Sequence, residues 1–165
     1  MNENTPMTPA QQLFAEEHHN LVYAFLNEKK LPEDEYYDVV VFGYLQAVMD
    51  YEDICEERMW ELNVNNTWPF QFSKLGGYWD AKNEIDIAAL DPEGKNLILG
   101  ECKYWKEPVG LNVLHALEAK VCDVAWERDR RKVWYVLFSI SGFSDELRNH
   151  AATRDDLLLI DDGER

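Results

Sequence analysis

The chain has 165 residues, the length of one domain or of one domain with an appendage, and at 46% hydrophobic and 13% aromatic it holds enough apolar material for a packed core. That composition excludes a wholly disordered chain. Its 32 acidic residues against 16 basic ones give a formal net charge of -16, which excludes a surface built for non-specific attraction to nucleic acid or anionic membrane.

The acidity is spread along the chain. Residues 1–50 hold nine acids and two bases, and the nearest thing to a basic stripe, Arg128, Arg130, Arg131 and Lys132, is interrupted by Asp129. The cysteines, Cys55, Cys102 and Cys122, are odd in number and scattered, a pattern of the reducing cytoplasm rather than of a disulfide scaffold. The start, MNENTPMTPAQQ, lacks the basic-then-apolar pattern of a signal peptide, and no apolar run is long enough for a membrane span. A soluble cytoplasmic protein without membrane contact is expected.

Residues 1–9 are polar, carry two prolines and are expected to be frayed. From Ala10 to about Asn27, Leu13, Phe14, Leu21, Val22, Phe25 and Leu26 recur at helical spacing. Leu31-Pro32 breaks this helix, and Pro32-Glu33-Asp34-Glu35 suits the first turn of a second one over 33–50. A third is expected over 51–62, ended by the turn residues Asn63 to Asn66. The period then changes. Phe70, Phe72 and Leu75 alternate loosely ahead of Gly76-Gly77, and 84–90 and 96–104 read as two strands of a hairpin around Asp91-Pro92-Glu93-Gly94. A helix over 110–127, a strand over 132–140, a helix capped by Ser144 and a strand over 157–160 complete the chain. Residues 50–165 therefore read α-β-β-β-α-β, a mixed α/β domain preceded by helices.

The chemistry concentrates in Glu84-Ile85-Asp86 and Glu101-Cys102-Lys103. Alternation places Glu101 and Lys103 on one face of their strand, and a hairpin brings Asp86 beside them at about 4.8 Å strand spacing. Two carboxylates and an ammonium meeting at one point suit a hard divalent cation and a phosphodiester. A lysine there would position or deprotonate water, or offset charge on the phosphate. The competing reading is a solvated hairpin face with cross-strand ion pairs. Against it, the flanking Ile-Ala-Ala-Leu and Leu-Ile-Leu-Gly are those of a central sheet, where isolated charges are costly. Gly100 leaves backbone room beside Glu101.

Asp86, fourteen residues, then Glu101-Cys102-Lys103 resembles the PD-(D/E)xK nuclease superfamily, whose restriction-endonuclease-like core has this α-β-β-β-α-β order. With Gly77-Tyr78-Trp79 ahead of Glu84-Ile85-Asp86 and with Gly100-Glu101-Cys102-Lys103, residues 50–126 are similar to the uncharacterised nuclease-like domain at the C-terminus of archaeal-type AAA ATPases. The resemblance implies a Mg²⁺- or Mn²⁺-dependent nuclease hydrolysing DNA phosphodiester bonds. Asp86, Glu101 and the carbonyl of Cys102 would be metal ligands and Lys103 the catalytic lysine. The superfamily's first helix often adds an acid, for which Tyr51-Glu52-Asp53 nominates Glu52, with Glu56 one turn later as the alternative. The proline common before the aspartate is replaced by Ile85. The alternative function is a catalytically inactive nuclease-fold interaction module with an AAA ATPase partner.

Residues 12–51 resemble the first helices of region 2 of bacterial RNA polymerase sigma factors, in Asp38 to Tyr51 above all, without the later basic and promoter-melting aromatic residues. The boundary between a helical segment and the nuclease-like domain is placed at 50/51. Of the remaining candidates, no GxxxxGK marks a phosphate loop. His18, His19, His115 and His150 lack zinc spacing. Lys120 and Glu118 on the 110–127 helix are candidates to face the site, with an ordinary solvated helix face the preferred reading, and Trp60, Trp68 and Trp79 are expected in core packing at the sheet edge.

Overall fold

The computed structural model describes residues 15–16, 19–126 and 131–162, so Leu13, Phe14, His18, Arg128, Asp129 and Arg130 lie outside the described residues. The elements are α1 (Asn20–Lys29), α2 (Glu33–Val64), β1 (Lys74–Trp79), β2 (Glu84–Leu90), β3 (Asn96–Lys103), α3 (Leu111–Lys120), β4 (Lys132–Ser139), α4 (Asp145–Ala151) and β5 (Leu157–Asp161). The chain divides into two compact units after Asp53.

In the first unit, α1 buries Val22 and Leu26 and stops at Lys30, which takes a left-handed conformation (φ 55°) and returns its N–H to the carbonyls of Asn27 and Leu26. Tyr37 on α2 shares a 2.6 Å hydrogen bond with His19 Nε2. The two helices expected over 33–50 and 51–62 are one helix of 32 residues. The reason is local: no proline lies between Pro32 and Pro69, and Gly43 alone is too mild a breaker to end a helix. No described helix is long and apolar enough to cross a membrane.

In the second unit, the end of α2 is fastened by Asn63, a buried residue. Its side-chain amide donates to the Phe72 carbonyl at 2.9 Å and accepts the Phe72 N–H at 3.0 Å. Five strands follow in the order β1-β2-β3-β4-β5. β1, β2 and β3 pair antiparallel, while β3, β4 and β5 are parallel neighbours. Parallel neighbours cannot be joined by a tight turn, so α3 and α4 serve as the crossovers. The expected mixed α/β fold with its α-β-β-β-α-β succession is the one found, followed by a further helix and strand. Ser144 caps α4 as expected, its side chain accepting the Leu147 N–H. The expected helix over 110–127 is shorter, ending at Lys120.

One hydrophobic cluster joins the sheet to α3, with Ile85, Leu97, Leu99 and Leu137 against Val113, Leu114 and Leu117. Trp68 fits the core-packing expectation, being 6% exposed and edge-on to Trp134. Trp79 does not. It is 76% exposed, because β1 is an edge strand and Trp79 closes it on the side away from Tyr78, which packs on the core. Trp60 is half exposed, against Phe72.

Two glycines set the local shape. The first strand was expected ahead of Gly76-Gly77, but β1 runs through both. Gly76 pairs with Ala88 and Tyr78 with Ile85, so Gly77 alone faces the two residues Asp86 and Ile87. This β-bulge breaks strict alternation in β2, which is how Ile85 and Ala88, three apart, enter the same core cluster. The room at Gly100 is taken by neighbouring strands rather than left beside Glu101. A Cβ there would meet Val136 Cγ1 at 2.5 Å, the Val136 carbonyl at 2.9 Å and Ile87 Cβ at 3.0 Å. Gly100→Ala should therefore force β3 from β4 and lower stability by about 1–3 kcal/mol, seen as a lower urea midpoint at unchanged slope.

Candidate functional site

The backbone ladder between β2 and β3 runs from Leu90 and Leu97 to Ile87 and Gly100. One residue beyond it, the Asp86 side chain takes over: its Oδ2 accepts the Cys102 N–H at 2.7 Å. Glu101 and Lys103 stand two apart on β3, and Lys103 Nζ reaches Glu101 Oε2 at 2.5 Å and Asp86 Oδ2 at 3.4 Å. The other oxygen of Glu101, Oε1, accepts from Lys120 Nζ at 2.6 Å, and the same ammonium donates to the Glu84 carbonyl at 2.6 Å. Two carboxylates and two ammonium groups thus form one neutral cluster. Their side chains are 6% (Asp86), 9% (Glu101), 15% (Lys103) and 26% (Lys120) exposed.

The backbone holds this cluster in place from behind. The Lys103 carbonyl accepts the Ile140 N–H, and the segment after β3 is tied to the segment after β4 through the Val109–Phe143 bridge and the bond from Ser141 Oγ to the Trp105 carbonyl. The cluster lies where β3 ends, at the carboxyl end of a parallel strand pair, a usual place for ligand sites in such sheets.

Of the residues read from the sequence, Asp86, Glu101 and Lys103 are brought together. Cys102 contributes its N–H to Asp86 and is itself buried. Glu52 stands on α2 in the first unit and Glu56 one turn later in the second, each half-buried. Among the described residues no group of three or more His, Cys, Asp or Glu side chains is arranged to hold a metal ion.

Lys120 is the residue that sequence reasoning misplaced. It was expected on a solvated face, yet it follows Val113 and Leu117 at spacings of four and three, so it continues the buried stripe of α3. A lysine in line with that stripe was the available signal. Glu118, two residues earlier and so about 200° round the helix, instead pairs with Arg154 at 2.5 Å, and Arg154 also grips Asp156 through two bonds. In the basic run, Arg131 is spent on the carbonyls of Trp126 and Val121, and Lys132 lies over the Trp134 ring.

The chain belongs to a family described as archaeal and bacterial proteins of unknown function (DUF234), whose model matches residues 20–121. Over 57 residues it is 39% identical to an uncharacterised protein of Methanocaldococcus jannaschii, a match covering 34% of this chain and 13% of that protein. The chain thus spans a small part of that relative. Among solved structures it is similar to a repair endonuclease from Pyrococcus abyssi, at 14% identity and a TM-score of 0.41, over 64% of this chain and 46% of that one. It is also similar to EndoMS in a complex with double-stranded DNA, at 15% identity and a TM-score of 0.39, over 67% of this chain and 46% of that one.

The electrostatics of the cluster are uneven. Burial pushes the Asp86 carboxyl above the usual aspartate range, with Lys103 opposing and Glu101 reinforcing the rise. Burial pushes Glu101 the same way, but Lys103 and Lys120 together outweigh it and hold Glu101 below its ordinary value. Burial also works against the charge on Lys103, and the two carboxylates overcome it, so its pKa is raised. Because Glu101 is depressed in the folded state, its stabilisation is present above the usual 4.5 and is lost as pH falls through the lower folded value. Asp86 acts with the opposite sign, its contribution fading as pH rises through the folded value. Thermal unfolding followed from pH 7 to pH 3 should show an acid limb that Glu101→Gln flattens. An unchanged limb in that variant would mean that Glu101 is not held ionised by the two lysines.

Proposed function

We propose that this family member is a metal-dependent phosphodiesterase acting on DNA. In that reading Asp86 and Glu101 would hold Mg²⁺ or Mn²⁺, the Cys102 carbonyl would add a third oxygen, and Lys103 would face the phosphate. The observation that carries the proposal is the convergence of Asp86, Glu101 and Lys103 from two strands onto one buried point. The donor set fits a hard divalent ion. Asp86 accepts from the Cys102 N–H and from Lys103 through Oδ2, and an ammonium already stands against both carboxylates as a resident cation. When bound, such an ion supplies polarisation of the phosphodiester and a more acidic water.

The chain's own residues divide the remaining work. In the metal-free protein the two carboxylates raise the pKa of Lys103 and keep it protonated, so it stands there as a positive charge and donor able to meet developing phosphate charge. Glu52, with Glu56 as the alternative, is proposed as the acid from α2 on the superfamily resemblance. DNA contact outside the cluster would be weak, since the chain carries -16 overall, and a partner such as an AAA-type ATPase would supply positive charge. The separate roles of the helical segment and the nuclease-like domain belong to the same proposal.

The second reading is an inactive module that binds an ATPase partner. It is favoured by the two lysines, which occupy both oxygens of Glu101. Plasmid nicking in the presence of Mn²⁺ should separate the two. Lys103→Ala and Asp86→Asn should each lower the rate by about 10²–10⁴-fold. Variants nicking like the wild type would remove the nuclease reading. A stable complex with an ATPase, without metal binding in calorimetry, would select the second.

A further inference from the structure

We infer that Lys120 is a displaceable counter-ion, which holds Glu101 in the metal-free protein and leaves that carboxylate when a divalent cation takes its oxygen. The inference rests on the metal-binding reading above. Both oxygens of Glu101 are engaged, Oε2 by Lys103 and Oε1 by Lys120, so no cation can ligate Glu101 without competing with an ammonium.

The two lysines are not equivalent competitors. Lys103 contacts both acids and is 15% exposed, held on a strand whose backbone is bonded on both sides. Lys120 contacts one acid, is 26% exposed, and is the last residue of α3, where the chain turns away. Lys120 is therefore the ammonium with less to lose. Keeping both lysines beside a divalent ion would place four positive charges against two carboxylates in a poorly solvated spot, so expelling one relieves like-charge repulsion.

The second bond of Lys120 determines where it goes. The Glu84 carbonyl at 2.6 Å is a neutral acceptor in the strand that carries Asp86. Retaining that bond keeps the released ammonium at the rim of the cluster, where an incoming anionic phosphate oxygen can replace the lost carboxylate. Metal entry and phosphate capture are thereby coupled through one side chain.

The test is Mn²⁺ titration of the full chain by calorimetry, with thermal unfolding at each metal concentration, for the wild type, Lys120→Met and Lys120→Arg. Lys120→Met should bind Mn²⁺ at least about tenfold more tightly than the wild type, because one competing charge is gone. Its metal-free melting temperature should lie below that of the wild type and rise more on saturation with Mn²⁺. Lys120→Arg, which keeps the charge, should bind close to the wild type. Lys120→Gln retains a donor for the Glu84 carbonyl and takes the place of the methionine variant if that one does not fold, with the same expectation. Wild-type binding with equal or weaker binding by both neutral variants would overturn the inference and leave the metal reading standing. Absence of Mn²⁺ binding in every form would overturn both.

Discussion

Four charges packed between β2, β3 and α3 set the terms for the second unit. An ionised carboxylate with 6% or 9% exposure is tolerable only if its charge is answered at hydrogen-bond distance, and Asp86 and Glu101 are answered by Lys103 and Lys120. Such an arrangement gains little net stability over an apolar core of the same shape. Breaking it by removing one partner, however, strands a buried charge at a cost of about 3–5 kcal/mol. The cluster is thus an expensive way to fill a core.

The sheet is shaped to deliver those charges. A regular β2–β3 ladder continued to its end would give the Cys102 N–H to a backbone carbonyl. The bulge opposite Gly77 changes the phase of β2 at Asp86, and a carboxylate oxygen receives that N–H instead. Gly100 lets Val136 and Ile87 close on the strand immediately before Glu101, which fixes the depth from which Glu101 and Lys103 rise. The apolar stripe of α3 then decides the angle at which Lys120 arrives. Local backbone irregularity, tight packing and helix phase each place one member of the cluster.

How much of this the sequence disclosed depends on the range of the interaction involved. The strands 84–90 and 96–103 were legible because alternation, length and a turn signal agree there, and the acids and lysine on them followed from that reading. The bulge was not legible, since it arises from pairing with β1, a strand expected ahead of the two glycines that it runs through. The continuous α2 was divided at residue 50, although no residue there breaks a helix. Lys120 was assigned to solvent over the site-facing alternative because burying an unpaired ammonium is costly, and Glu101, 19 residues away, together with the Glu84 carbonyl makes its burial tolerable. Trp79 erred in the other direction: its size suggests core, but an edge strand has one face with nothing to cover it.

The acidity of the chain takes a more definite meaning from the cluster. The four charges sum to zero, so the whole formal charge of -16 lies outside the candidate site. At physiological salt charge acts over about 8 Å, so the neutral cluster offers an anion no long-range attraction of its own. On the metal-binding proposal a bound divalent ion would change the sign of the centre alone, and a released ammonium at the Glu84 carbonyl would extend that positive zone outward by one side chain. On that proposal such a site would discriminate by timing: it would favour an anion only after a cation has bound, and it would leave long-range attraction to a positively charged partner.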